Sequence, residues 1–380
     1  MASLYLHIPF CERKCLYCDF YSVENLDAME AFLLAIEREI NCYSALAAGT
    51  TIDTIFFGGG TPSLLTPSQL ERLLRMLHEK YTIHPGAEVT LETNPGTVSV
   101  EKLIAYRTLG INRLSIGIQS LRDSELAWLG RIHDARTAVA CVEYARRAGF
   151  GNVGIDLIYS LPGQETSQWN ETLQKAVGLG PDHVSAYSLI VEDNTPLSRL
   201  VASRQVSPNP AEREAELFEE TMSVLNRHGF EHYEVSNYAR PGMRCRHNYA
   251  YWTHASYLGF GPSAHAFWMR GDPPRPSRWA NVAGIGEYTR RLESNESALI
   301  FEEVLSRQQL FNEQMFLGLR SDGVDLKRLG AEYPDQLKSE MLAIAQSLAA
   351  EGAALWEGSR LRLTDSGYLL CDEIAARMMI

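Results

Sequence analysis

Three cysteines within eight positions are the densest chemistry in this chain. Cys11, Cys15 and Cys18 lie in the run His7-Ile8-Pro9-Phe10-Cys11-Glu12-Arg13-Lys14-Cys15-Leu16-Tyr17-Cys18-Asp19-Phe20. Three thiolates at this spacing can hold three irons of a four-iron cluster. The fourth iron then has no protein ligand, as a site needs if it is to bind and activate a small molecule. A zinc site completed by His7 or Asp19 is the alternative reading. Zinc ligands, however, usually come as two close cysteine pairs rather than one three-cysteine loop. The other four cysteines, Cys42, Cys141, Cys245 and Cys371, are scattered. That pattern excludes a disulfide scaffold and suits a reducing compartment, with ordinary buried thiols away from the cluster.

A second concentration is His247-Asn248-Tyr249-Ala250-Tyr251-Trp252, preceded by Cys245-Arg246. Imidazole is a common metal ligand, and Tyr and Trp offer flat apolar surface. A histidine among aromatics, taken alone, is more often a packed, hydrogen-bonded residue. Further candidates lie singly: Gly58-Gly59-Gly60-Thr61-Pro62, Glu92, Gln119, Arg131 and Asp156. Three consecutive glycines exceed the needs of a turn and let backbone come close to a ligand. An Asp within an apolar strand is costly unless it is paired or binds something.

These residues share a position relative to the elements that carry them. Apolar runs at 4–8, 54–57, 88–92, 113–118, 153–158 and 183–189 read as strands, and each candidate lies at or just past a strand end. Helical patterns separate them, as in the stripe Leu70, Leu73, Leu74, Leu77 behind the start signal Thr66-Pro67-Ser68. Strand–helix alternation implies a parallel sheet with its active residues at the C-terminal face. Six units fall short of a closed eight-stranded barrel, so the expected fold is α/β with a partial six-unit barrel, a doubly wound flat sheet being the alternative. Residues 1–193 form this barrel in the sequence reading. Residues 194–300 read as an irregular connecting region that completes the core and carries the His247 motif, with one helix over 211–228 and a loop at 271–276. Residues 301–380 read as a winged-helix-like module of helices, a hairpin and a last helix over 365–378. From residue 303 onward this module has eight Lys/Arg against twelve Asp/Glu, which argues against DNA binding.

C-x3-C-x2-C after a first strand is the signature of radical-SAM proteins. With Tyr5-Leu6-His7-Ile8-Pro9-Phe10 ahead of it and the Gly58–Pro62 run behind, the chain resembles the oxygen-independent coproporphyrinogen III oxidase superfamily over nearly its whole length. The true oxidases carry a fourth cysteine two positions after the third. Phe20 stands there in this chain, and H-N-x-x-Y-W is similar to the motif of the heme-chaperone branch. The resemblance implies a 4Fe–4S cluster on Cys11, Cys15 and Cys18. It implies S-adenosylmethionine contacts by Tyr5, Tyr17, Gly59, Gly60, Thr61, Glu92, Gln119, Arg131, Asp156 and Ala186. It also implies heme near His247, Asn248, Tyr251 and Trp252, and delivery of that heme to apo-hemoproteins. Radical decarboxylation of a porphyrinogen is the enzymatic alternative, against which Phe20 counts; a heme-degrading radical enzyme is another.

Composition agrees with this class. The 380 residues are 45% hydrophobic and 22% charged, ordinary for a globular protein, and the net charge of −12 disfavours nucleic acid. No basic stretch precedes the apolar residues at the N-terminus and no apolar run spans a bilayer, so a cytoplasmic location is expected, compatible with peripheral membrane contact.

Overall fold

The computed structural model describes residues 2–271, 275–331 and 335–379, with backbone alone at 330, 331 and 335–338; the middle of the loop expected at 271–276 lies outside the described residues. Six parallel strands lie side by side in chain order: β1 (Ala2–Ile8), β2 (Thr51–Gly59), β3 (Thr82–Thr93), β4 (Arg113–Gln119), β5 (Val153–Tyr159) and β6 (His183–Ser188). The crossovers are helical, at Met29–Tyr43, Pro67–Lys80, Val100–Thr108, Ala135–Arg147 and Thr166–Gly178. The second of these starts as the sequence signals. Thr66 and Gln69 form a reciprocal cap, and Leu70, Leu73, Leu74 and Leu77 are its buried face.

Residues 194–300 are not irregular, and here the structure corrects the sequence reading. They add helices at Pro196–Ala202, Ala211–Arg227, Arg246–Trp252 and Ile285–Glu293, and six more strands of the same sheet. A hairpin of β7 (Glu231–Glu234) and β8 (Asn237–Ala239) extends the sheet beyond β6. At the other side β9 (Ser256–Phe260) runs parallel to β1, followed by antiparallel β10 (His265–Arg270), β11 (Arg275–Asn281) and β12 (Leu299–Val304). β9 is thus a seventh parallel strand. These strands escape sequence reading because most are short and broken by Gly, Pro and charged residues, so no period develops. The twelve-stranded sheet is curved but not closed.

The C-terminal elements are winged-helix-like: helices Arg307–Leu319, Leu326–Ala331 and Asp335–Ala350, then β14 (Ala354–Glu357) and β15 (Arg360–Leu363), with β13 (Val324–Asp325) paired to β15. The expected last helix is two, Asp365–Tyr368 and Cys371–Met378. Among the described residues no helix is long and apolar enough to cross a membrane.

Side-chain alternation explains what the sheet can hold. On β1 to β6 one set of residues is apolar and packs under the helices: Leu4, Leu6, Ile8, Ile55, Phe57, Leu91, Leu114, Ile116, Ile155, Leu157 and Val184 are all fully buried. The intervening set faces the concave side: Ser3-Tyr5-His7, Thr54-Phe56-Gly58, Glu88-Thr90-Glu92, Arg113-Ser115-Gly117, Gly154-Asp156 and His183-Ser185. Seven parallel strands therefore enclose a polar, ionisable lumen.

Candidate functional site

At the mouth of the lumen, where the strands end, the cysteine loop leaves β1. Cys11, Cys15 and Cys18 are free thiols of intermediate exposure. Thr61 donates through Oγ1 to Cys11 Sγ at 3.6 Å, and Arg131 Nη1 donates to Cys15 Sγ at 3.4 Å. Both donors reach sulfurs of the loop that would hold the cluster. Burial pushes the Cys18 thiol up to about 11, against the Phe20 backbone N–H. Among the described residues no three His, Cys, Asp or Glu side chains converge as a mononuclear metal site. A four-iron cluster does not require that, since each thiolate holds a different corner. Three thiols on one short loop suit three corners of such a cluster.

The glycine run has a local reason. A Cβ on Gly58 would lie 2.9 Å from the Tyr5 ring, one on Gly59 2.7 Å from the His7 ring, and one on Gly60 2.7 Å from the Phe10 carbonyl. Gly59 also has φ +109°. The glycines let β2 lie flush against the end of β1 and the first residues of the cysteine loop, so their close approach is in the first place to the protein itself. His7 Nε2 donates to the Tyr21 carbonyl (2.8 Å), leaving Nδ1 to accept from the Tyr5 hydroxyl (3.1 Å).

Arg131 ties the mouth together. Besides Cys15 it reaches the Gly117 carbonyl at 2.8 Å, Asn94 Oδ1 and the Tyr17 hydroxyl. Asn94 in turn donates to Thr61 Oγ1 at 3.1 Å. Tyr17 lies over a small apolar cluster of Leu129, Ile158 and Leu161. Gln119 sits at the end of β4 with φ 63° and Ser160 follows β5 with φ 61°, both left-handed for a residue with a side chain. Such strain gathers at binding edges.

Within the lumen two carboxylates face one another across β3, β4 and β5. Glu92 Oε2 accepts from the Gly59 N–H at 3.1 Å. Asp156 accepts from Ser115 Oγ at 3.1 and 3.3 Å, and from Ser185. Both are half-buried, with protein packed around most of each carboxyl. That desolvation, with a further push from Asp156, raises Glu92 to about 8; burial raises Asp156 as well. Ala186 belongs to the opposite, helix-facing set of β6, and its N–H is already given to the Ser236 carbonyl at 2.8 Å.

The His247 motif is at the other end. It forms the helix Arg246–Trp252, which lies under the N-terminal ends of β1 and β2 and against the C-terminal helix Arg307–Leu319. Glu88 accepts from the N–H groups of Arg246 (3.1 Å) and His247 (3.0 Å), capping the helix start with a carboxylate. His247 is buried. Its Nδ1 donates to Thr54 Oγ1 at 2.7 Å, and Nε2 accepts from the Tyr251 hydroxyl at 2.9 Å. Burial pushes its pKa down to about 3. The imidazole is neutral, as a metal ligand must be, but both nitrogens are in use. Trp252 bonds the buried Glu234, and Tyr249 donates to Asp322 at 2.9 Å. Asn248 and Tyr251 are half-buried beside them.

Known proteins are similar to this chain along nearly its whole length. Residues 5–176 match the Radical SAM superfamily. The Bacillus subtilis protein named heme chaperone HemW is 35% identical, with 98% of each chain covered. The Bos taurus protein named radical S-adenosyl methionine domain-containing protein 1, mitochondrial, is 37% identical over all of this chain and 87% of its own. This chain belongs to the HemW family. Among solved structures, the radical SAM enzyme coproporphyrinogen III oxidase (HemN) from Escherichia coli superposes with a TM-score of 0.84 at 25% identity, covering all of this chain and 90% of that one. Membership of this radical SAM family implies a 4Fe–4S cluster and S-adenosylmethionine.

Against the HemW frame, the structure brings Tyr5, Tyr17, Gly59, Gly60, Thr61, Glu92, Gln119, Arg131 and Asp156 to the mouth and upper lumen with the three cysteines. It places His247, Asn248, Tyr251 and Trp252 at the floor, away from the three cysteines, with Tyr5 between the two sets, its ring 6.4 Å from that of His247. Asn94, Ser115, Arg113, Glu88 and Glu234 were not singled out from sequence. The available signal was the period-two run of polar residues, Glu88-Thr90-Glu92 and Arg113-Ser115, inside otherwise apolar strands.

Proposed function

We propose that this chain carries heme in the cytoplasm and delivers it to apo-hemoproteins, with a 4Fe–4S cluster and S-adenosylmethionine at the barrel mouth. The observation that carries the reading is the combination of a three-thiol mouth with Phe20, 61% exposed, where the oxidases place a fourth cysteine, in a chain whose relatives are named heme chaperones. When bound, the cluster would supply electrons and an open iron for the amino acid end of S-adenosylmethionine. The chain's own part would be to hold that cofactor. Cys11, Cys15 and Cys18 hold the cluster. Arg131, already forked between a thiol, a carbonyl and an amide, suits the cofactor's carboxylate. Glu92 and the backbone of Gly59–Thr61 suit its ammonium, and Asp156 suits the ribose hydroxyls, with Tyr5, Tyr17 and Gln119 completing the contacts; Ala186, turned toward the helices with its N–H on Ser236, is not among them. The enzymatic alternative is tested directly: anaerobic, reduced protein with S-adenosylmethionine is expected to leave coproporphyrinogen III unconverted, and product formation at turnover would replace the carrier reading.

For heme, we propose the motif helix as the site and His247 as the iron ligand. Nε2 must then exchange the Tyr251 hydroxyl for iron. His247→Ala is therefore expected to shift the Soret band and weaken binding. Tyr251→Phe, which frees Nε2, is expected to load heme faster than the parent. Trp252→Ala is expected to cost affinity without moving the axial-ligand bands. If Tyr251→Phe loads like the parent and His247→Ala keeps the parent's Soret spectrum once refolding is verified, the motif is a structural plug and the heme site lies elsewhere.

A further inference from the structure

Arg113 opens β4 and points into the lumen one pleat beneath the carboxylates. Its side chain is 1% exposed, yet it makes no ion pair within 4 Å among the described residues, and its Nε and Nη1 have no hydrogen-bond partner there. A buried guanidinium held this way is costly, so the fold must gain from its charge. Space for it is built in. Gly154 on β5 has no side chain, and a Cβ there would meet Arg113 Nη2 at 3.2 Å and His183 Nδ1 at 3.4 Å. The glycine lets the guanidinium lie across the sheet between β4 and β6.

Around Arg113 the lumen is acidic. Glu88 and Cys245 lie toward the floor and Glu92 and Asp156 toward the mouth, with Tyr5, Tyr187, Tyr233 and Glu234 as the neutral or weakly acidic groups of the surrounding elements. The other guanidinium at this lumen, Arg131, is bound to thiol, carbonyl and amide at the rim. His183 and His247 are held neutral by burial. Arg113 is therefore the cation beneath the carboxylate pair.

We propose that Arg113 is a positioning residue of the cofactor site: from one pleat below, its fixed charge offsets the mutual repulsion of Glu92 and Asp156 and keeps both available to a cationic, hydroxyl-bearing ligand. Glu92 and Asp156 both feel it in the direction this requires, since Arg113 opposes the rise that burial imposes on each. The inference rests on the cofactor assignment above, and the test separates the two.

The test uses anaerobically reconstituted protein with S-adenosylmethionine as the probe, its binding read from the cluster's electron paramagnetic resonance between pH 6.5 and 9.5. Affinity in the parent is expected to rise with pH as Glu92 ionises. In Arg113→Met that rise is expected to move upward by about one pH unit, which is roughly tenfold weaker binding on the acid side of the transition and near-parental binding at the alkaline limit. Arg113→Lys, which keeps the charge, is expected to bring the midpoint back toward the parent and also serves if the methionine variant does not fold. In parallel, infrared titration of the protein without S-adenosylmethionine follows the protonated carboxyl band that disappears in Glu92→Gln. Its midpoint is expected to rise in Arg113→Met. A parent that binds no S-adenosylmethionine would sink the cofactor assignment, while the infrared arm still decides Arg113. Equal weakening at every pH, or an unmoved carboxyl band, would make Arg113 a packing residue and overturn the proposal.

Discussion

Changing any one of Cys11, Cys15 or Cys18 to Ala is expected to remove nearly all cluster iron. Anaerobic reconstitution of the parent is expected to give about four irons and four sulfides per chain; each variant is expected to fall close to zero, with loss of the visible absorbance. The reason is geometric. The fourth iron would have no protein ligand, so three cysteines are the minimum, and the loop offers no further thiol to replace the one removed. Asp19 and His7 flank the loop, but His7 is fixed by Tyr21 and Tyr5 on its two ring nitrogens. Cys371→Ala is the control. That thiol is buried among the C-terminal helices, where it packs with Ile374 and Ala375, and iron content is expected to be unchanged. Parent protein that takes up one zinc and no sulfide would end the cluster reading.

Glu92→Gln is expected to weaken S-adenosylmethionine about ten- to a hundredfold and yet stabilise the protein without it. The first effect is the loss of a charge-assisted hydrogen bond that the carboxylate accepts from a cationic ligand in a desolvated site. The second follows from linkage. Glu92 is raised from an ordinary 4.5 to about 8 in the folded chain. Between those values the folded state keeps a proton that the unfolded state has released, so stability falls as pH rises from about 4.5 to about 8. Glu39, raised by burial to about 7, and Glu234, raised to about 8, act in the same sense. Glutamine removes one of these groups. Melting of the variant at pH 8 is therefore expected to come about 1–3 °C above the parent, and at pH 5 to match it. A variant less stable at both pH values would show that Glu92 is held by contacts rather than opposed by burial. The site residue thus costs stability until its ligand arrives, as binding groups often do.

Much of this was legible in sequence, for identifiable reasons. The cysteine loop needs no structure to be noticed, because its spacing is set by covalent geometry. The six parallel strands show because each is a run of aliphatics between helices with clear starts, such as the Thr66–Gln69 cap. Residues at strand ends could be assigned to one face on the same logic. Three things were hidden. The strands from 231 to 304 are short and mixed in composition, so the sheet's two flanks went unread. The lumen's charge balance depends on which acids lie near Arg113, and that is a relation between β3, β4 and β5 rather than a property of any one segment. The geometry of His247 was hidden too. Its motif reads as a ligand set through its resemblance to the heme-chaperone motif, since a histidine among aromatics, taken alone, reads as a packed residue. Only the fold reveals Thr54 and Tyr251 on its two nitrogens and Glu88 under its helix, which place it in the foundation of the barrel.

The neighbours of β1 set an order of events during synthesis. On one side it pairs with β2, made soon after it; on the other it pairs with β9, so that Ala2 lies against Ser256 and Leu6 against Phe260. A parallel strand with one partner so remote in the chain is a high-contact-order pairing, slow to form. While the ribosome is making the intervening segments, the first strand carries an open edge and the cysteine loop at its end has only part of its surroundings. The nascent barrel is exposed to aggregation through that edge until β9 emerges. Cluster insertion into a loop still open to solvent would be easiest in the same interval, and closure of β9 and the Arg246–Trp252 helix under the lumen would then seal the barrel from below.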